Sequence, residues 1–234
     1  MKYSLHILFV LFIGIGLQGC AQEPSVLTYE HRAAQVDAAH PPLLILLHGV
    51  GSNEQDLFSL ADYLPKKYVV ISVRAPITLG ANSYGWFRID RSSGTLKYDF
   101  KEVEASREKL VQFIAQMKKE HGSPESKVYL CGFSQGAIMS YNLALTHPEL
   151  ISGIAAMSGR LMEEIKPLAQ SKDKLAHLNI HISHGTGDQI LPHQGALEAK
   201  AYLESLGLKP SFHSYTAGHE INREILQDLI KWLE

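Results

Sequence analysis

The sequence predicts a single α/β domain, with a mostly parallel central sheet, helices on both faces and no large cap domain. Three observations predict it. Short apolar runs alternate with stretches of helical periodicity from Val26 onward, the order that builds parallel sheets through crossover helices. The run LLILL at 43–47 is wholly apolar, as a strand covered on both faces must be. The chain has 234 residues, 45% of them hydrophobic, which is enough for one sizeable core, and it shows no internal repeat or linker.

The elements follow in order. VLTYEHR (26–32) reads as a strand, 33–42 as a connection, and 43–48 as the buried strand. HGVGSN forms a turn, 54–64 is helical and 68–74 is the next strand. The stretch 76–97 is irregular and carries Tyr84, Trp86 and Phe87. A long helix over 100–121 follows, because Val103, Leu110, Phe113, Ile114 and Met117 share one face. Gly122 and Pro124 end it. KVYLCG (127–132) is a strand, and the helix over 137–146 stops at His147-Pro148. A strand over 151–158 leads to a helical stretch over 161–175, with Pro167 counting against it. After the strand 179–184, Pro192 opens a helix that Gly207 closes. The strand 211–216 precedes a last helix over 220–233, striped by Ile221, Ile225, Leu229 and Leu233.

The first twenty residues differ in kind. MKYSLHILFVLFIGIGLQGC has one charged residue, Lys2, then an apolar run too short for a comfortable membrane span, as in a secretory signal. Its end, Leu17-Gln18-Gly19-Cys20, resembles the lipobox of bacterial lipoprotein precursors. That resemblance implies a signal peptide at 1–19, lipidation of Cys20, a tether at 20–25 and a folded domain at 26–234. The protein would then be exported and held at a membrane by its lipid. A plain signal peptide that happens to contain a cysteine is the alternative.

Several classes are disfavoured. The formal charge is −2 and no basic stripe stands out, so the footprint of a nucleic-acid binder is missing. Cys131 lies in an apolar strand pattern and reads as a small core residue, which leaves no internal disulfide to expect. Twelve histidines invite a metal, but no pair has the spacing of an H-E-x-x-H site. Neither metal nor cofactor is expected. The oligomeric state is not legible.

Gly132-Phe133-Ser134-Gln135-Gly136 sits between a strand and a helix and fits the nucleophile elbow, G-x-S-x-G. The glycines leave no side chain where the chain is tightest, and the serine projects from the apex. A serine hydroxyl needs a base to take its proton. Asp188 follows the strand 179–184 and His219 follows the strand 211–216, both just past C-terminal strand ends, where open α/β sheets build their sites. Ser134 is therefore read as nucleophile, His219 as base and Asp188 as the acid that orients it. His213 lies within its strand, Asp173 in a helical segment, and His184 reads as a structural hydrogen-bonder. The oxyanion would be held by the N–H groups of Gln135 and Val50, with His48 as a scaffold for the Val50 loop.

LLILLHGVGSN, RAPI, GWFRID, GFSQGA, HGTGDQILP and AGHEI, in this order, together resemble the phospholipase/carboxylesterase family of small α/β-hydrolases, which includes the acyl-protein thioesterases. The resemblance runs from about Leu43 to the C-terminus. It implies the α/β-hydrolase fold, the same Ser134, Asp188 and His219, oxyanion donors at Val50 and Gln135, and Trp86 as an aromatic beside the substrate. Trp86 as packing for a long loop is the competing reading. The implied activity is hydrolysis of carboxylic esters, with lysophospholipids or acyl thioesters as alternative substrates. A peptidase of the same fold and a ligand-binding lipoprotein without turnover are the rivals.

Overall fold

The computed structural model describes residues 25–90, 92 and 97–234. The predicted signal peptide, Cys20 and most of the tether lie outside the described residues. The chain begins with β1 (Tyr29–Arg32), β2 (Leu43–Leu47), α1 (Glu54–Phe58) and β3 (Val69–Val73). A hairpin follows, β4 (Ile77–Gly80) and β5 (Ser83–Gly85), and then the long α2 (Phe100–His121). Next come β6 (Val128–Phe133), α3 (Gln135–Thr146), β7 (Gly153–Met157) and α4 (Lys172–Leu175). The last elements are β8 (Asn179–Gly185), α5 (Gln194–Ser205), β9 (Ser211–Tyr215) and α6 (Arg223–Leu233).

Seven strands form one sheet in the order β1-β3-β2-β6-β7-β8-β9. β1 runs antiparallel to β3, and every other pairing is parallel. The buried strand β2 is apolar throughout because each face meets its own layer. Leu43, Ile45 and Leu47 join a cluster with Phe113 of α2, Leu143 of α3 and Leu203 of α5. Leu44 and Leu46 join another with Leu57 of α1 and Ile225 and Leu229 of α6. A period of two along the strand thus becomes two cores, one on each side of the sheet. Cys131 belongs to the second core, where burial pushes its thiol up to about 12, so it stays protonated and inert.

Two stretches differ from expectation. The segment expected to be irregular contains the β4–β5 hairpin, turned at Ala81-Asn82, with Asn82 at φ 55°. Asparagine tolerates that left-handed conformation better than most residues. The segment 161–175 is not one helix. It breaks into a 3-10 stretch at Glu163–Leu168 and the single turn α4, because Pro167 supplies no N–H and clashes with a continuing α-helix.

The β8–β9 edge buries His181. Its Nδ1 is 3.0 Å from the Ser211 hydroxyl, its ring packs near His213 and Trp232, and its Nε2 has no hydrogen-bond partner among the described residues. Burial, reinforced by the neighbouring His213, pushes its pKa down to about 4, against a smaller opposing pull from Asp228. In the unfolded chain a histidine titrates near 6.5. As pH falls from about 6.5 to about 4, the unfolded state takes up this proton first, so stability drops across that window. The loss is on the order of 3 kcal/mol. Denaturant midpoints measured from pH 7 to pH 4 should show it, and His181→Leu should flatten the curve. An equally steep acid limb in that variant would remove His181 as its source.

Candidate active site

Ser134 sits at the turn from β6 into α3 with φ 54° and ψ −114°, a sparsely populated conformation. Three contacts show why the chain can turn there. A Cβ at Gly132 would meet the Gly136 carbonyl at 2.4 Å, and one at Gly136 would lie 1.9 Å from the Leu47 oxygen. Only glycine fits at either place. The Ser134 N–H donates to the Met157 oxygen at 2.9 Å, which ties the turn to the neighbouring strand β7. Strain of about 1–3 kcal/mol is held by this surrounding structure.

The loops after β8 and β9 bring two more side chains to the same edge. His219 Nε2 is 2.8 Å from Ser134 Oγ, and His219 Nδ1 is 2.7 Å from Asp188 Oδ2. The carboxylate can only accept, so Nδ1 carries the ring proton and Nε2 is free to accept from the serine. Asp188 is itself fixed. Its Oδ1 accepts from the backbone N–H groups of Ile190 and Leu191, each at 2.9 Å. Burial alone would raise the Asp188 pKa, but the bonds from His219, Leu191 and Ile190 outweigh it and hold the carboxyl below the ordinary range.

His184 packs behind this pair. It is fully buried, and its Nε2 lies 2.8 Å from the Leu191 oxygen and 3.2 Å from Asp188 Oδ2. Burial lowers its pKa and keeps the ring neutral, so its Nε2–H points at both acceptors. His213 and Asp173 take no part. His213 faces Asp228 at 3.4 Å on the outer strand, and Asp173 lies in α4.

The loop after β2 approaches from the other side. A Cβ at Gly49 would lie 3.4 Å from the Ser134 Cβ, so the Gly49-Val50 backbone passes directly beside Ser134. His48 holds that loop. Its Nε2 accepts from the Ala75 N–H at 3.0 Å, which leaves Nδ1 to donate to the Gly49 oxygen at 2.7 Å. Burial pushes its pKa down, so it stays neutral. The Val50 and Gln135 N–H groups donate to no acceptor among the described residues. Gln135 opens α3, where the first-turn N–H groups have no partner within the helix.

The sequence profile of the Phospholipase/Carboxylesterase family matches residues 31–234. The chain belongs to this family. It is 28% identical over 210 residues to acyl-protein thioesterase 1 of Kluyveromyces lactis, across 82% of this chain and 90% of that relative. A probable carboxylesterase of Oryza sativa is 27% identical over 220 residues, across 86% of this chain and 80% of the relative. The solved carboxylesterase of Bacillus cereus superposes with a TM-score of 0.76 at 23% identity, covering 91% of this chain and 95% of that one. The fold is that of an α/β-hydrolase with no large cap.

Within this phospholipase/carboxylesterase-family chain, Trp86 does not stand where a substrate wall was expected. It is fully buried, and its indole Nε1–H donates to the His48 oxygen at 3.0 Å. Its backbone N–H donates to Gln135 Oε1 at 2.7 Å, while Gln135 Nε2 donates to the Phe87 oxygen at 2.7 Å. Trp86 therefore packs the loop and braces Gln135 and the His48 backbone. A large indole gains more from full burial with its N–H satisfied than from an exposed wall.

Beside Ser134 lies a small, partly open cavity. Phe87, Ile89, Ile138, Ile190 and Leu191 line it together with Val50, Gln135 and Arg160. Sequence reasoning missed most of these. Arg160 follows the C-terminal end of β7, the strand next to β6, and that position was the available signal. Among the described residues no cluster of three or more His, Cys, Asp or Glu side chains is placed to hold a metal ion.

Proposed function

We propose that the chain is a serine carboxylesterase working through an acyl-enzyme. The observation that carries this reading is the continuous relay from Ser134 through His219 to Asp188, with contacts of 2.8 and 2.7 Å. Ser134 Oγ attacks the ester carbonyl carbon as its proton passes to His219 Nε2. The carbonyl oxygen becomes an oxyanion facing the Val50 and Gln135 N–H groups. The C–O bond to the alcohol then breaks, and the alcohol leaves with the proton from Nε2. Water attacks the acyl-serine, gives its proton to the same nitrogen, and the acid departs as Ser134 recovers its hydrogen. Asp188 stays ionised throughout and stabilises the imidazolium.

The experiment is a phosphonate probe with an aryl ester assay. The probe should mark Ser134 and the ester should turn over, both dependent on that side chain. Tight binding of esters without turnover would favour a ligand-binding protein instead, and comparable cleavage of a peptide amide would favour a peptidase. The Kluyveromyces lactis relative's name makes acyl thioesters a second substrate class, which an oxygen ester and a thioester of the same acyl group separate.

We also propose that the protein is exported and tethered to a membrane by a lipid on Cys20. The sequence Leu17-Gln18-Gly19-Cys20 after an apolar run supports this. Cys20→Ser should move the protein from the membrane fraction to the soluble one. Unchanged fractionation would show that something else holds it.

A further inference from the structure

We propose that Arg160 selects esters carrying a second, negatively charged oxyacid group near the scissile carbonyl. This rests on the esterase reading and narrows its substrate class. Arg160 lines the same cavity as Ser134. A group that enters beside the nucleophile therefore also meets Arg160. Apart from Ser134, Gln135 and Arg160, the lining side chains are apolar.

A cation placed in such a wall needs a reason. Arg74, Arg88 and Arg107 each have a carboxylate within 4 Å. Arg160 is half-buried and, like Arg32 and Arg223, has none at that distance among the described residues, but of these three only Arg160 lines the cavity. Its guanidinium lies 5.7 Å from the Tyr98 ring centroid and also interacts with the Tyr98 hydroxyl, contacts that position the group. The nearby carboxylate of Glu164 accepts from the Tyr98 hydroxyl at 2.9 and 3.0 Å. The guanidinium is thus braced by a ring, keeps its charge, and can offer paired N–H donors to a carboxylate or phosphate. Partial burial strengthens that attraction relative to open water. Uncharged esters would gain nothing from it.

Two source chemistries share this recognition, a carboxylate on the acyl side or a phosphate on the alcohol side. The test uses one pair for each. Monomethyl glutarate is compared with methyl 5-methylhexanoate, which replaces the carboxylate by an isopropyl group. Butyrylglycerol 3-phosphate is compared with butyrylglycerol. The readout is the ratio of kcat/KM within each pair.

The wild-type enzyme should favour the anionic member of at least one pair. Arg160→Met should lower that ratio about 10- to 100-fold, the range for losing a charge-assisted hydrogen bond. Arg160→Lys should lower it less, because the charge remains. Raising the salt concentration should erode the wild-type preference through screening. The pair that responds identifies the source. Ratios that are the same in wild type and Arg160→Met for both pairs would overturn the proposal and leave Arg160 as a cover for Tyr98. Should the methionine variant fail to fold, a salt-independent wild-type ratio overturns it equally. Failure of the esterase reading looks different: no ester of either pair turns over and Ser134 resists the probe.

Discussion

Ser134→Ala should lower kcat for an aryl ester by about six orders of magnitude, the scale seen when an activated serine is removed from a comparable triad. The loss is this large because nothing else in the cavity can take its place. Cys131, the free thiol among the described residues, is buried in the opposite core and held protonated. His219 would remain bonded to Asp188 but would face a methyl group. The remaining N–H donors would still polarise a bound carbonyl, so a small residual rate above water is expected. Steady-state turnover and phosphonate labelling measure the two consequences separately. Turnover within tenfold of wild type would assign the nucleophile to another residue.

Asp188→Asn should lower kcat by up to about four orders of magnitude while leaving Ser134 in place. The reason is the arrangement of donors around the carboxylate. Ile190 and Leu191 aim backbone N–H groups at Oδ1, and His219 aims its Nδ1–H at Oδ2. An amide has one acceptor oxygen. The backbone donors cannot turn away, so they claim it, and the NH₂ group is left facing His219. That forces the imidazole into its other tautomer, with the proton on Nε2, where it can no longer accept from Ser134. His184 Nε2–H also points at Oδ2 and favours an oxygen there, but it keeps the Leu191 oxygen as acceptor at 2.8 Å, so the two backbone donors decide the amide's orientation. A kcat within tenfold of wild type would mean that another acid orients the base.

Both arguments concern residues that could be found by reading the chain. The meeting of Ser134, His219 and Asp188 was legible because each is announced locally: a serine between two close-packed glycines, and two loops that follow short strands. The sheet was legible for the same reason, since its strands are apolar runs punctuated by turns. Side-chain direction was harder. Trp86 looked like a wall because it stands in an aromatic loop, but its direction is set by the His48 oxygen and the Gln135 amide, both distant in sequence. The β4–β5 hairpin hid in a glycine-rich stretch with little alternation. Phe87, Ile89, Arg160 and Ile190 meet only because several separate loops converge, and no local pattern reports convergence.

The bracing around Gln135 has a kinetic consequence. One amide side chain grips both Trp86 and Phe87, and the indole grips the residue that begins the Val50 loop. In the proposed mechanism, the Val50 and Gln135 amides that would face the reacting oxygen are therefore set before any ester arrives. Little solvent or backbone has to rearrange as charge builds, so the first turnover should proceed at full speed, without a slow activation phase on mixing.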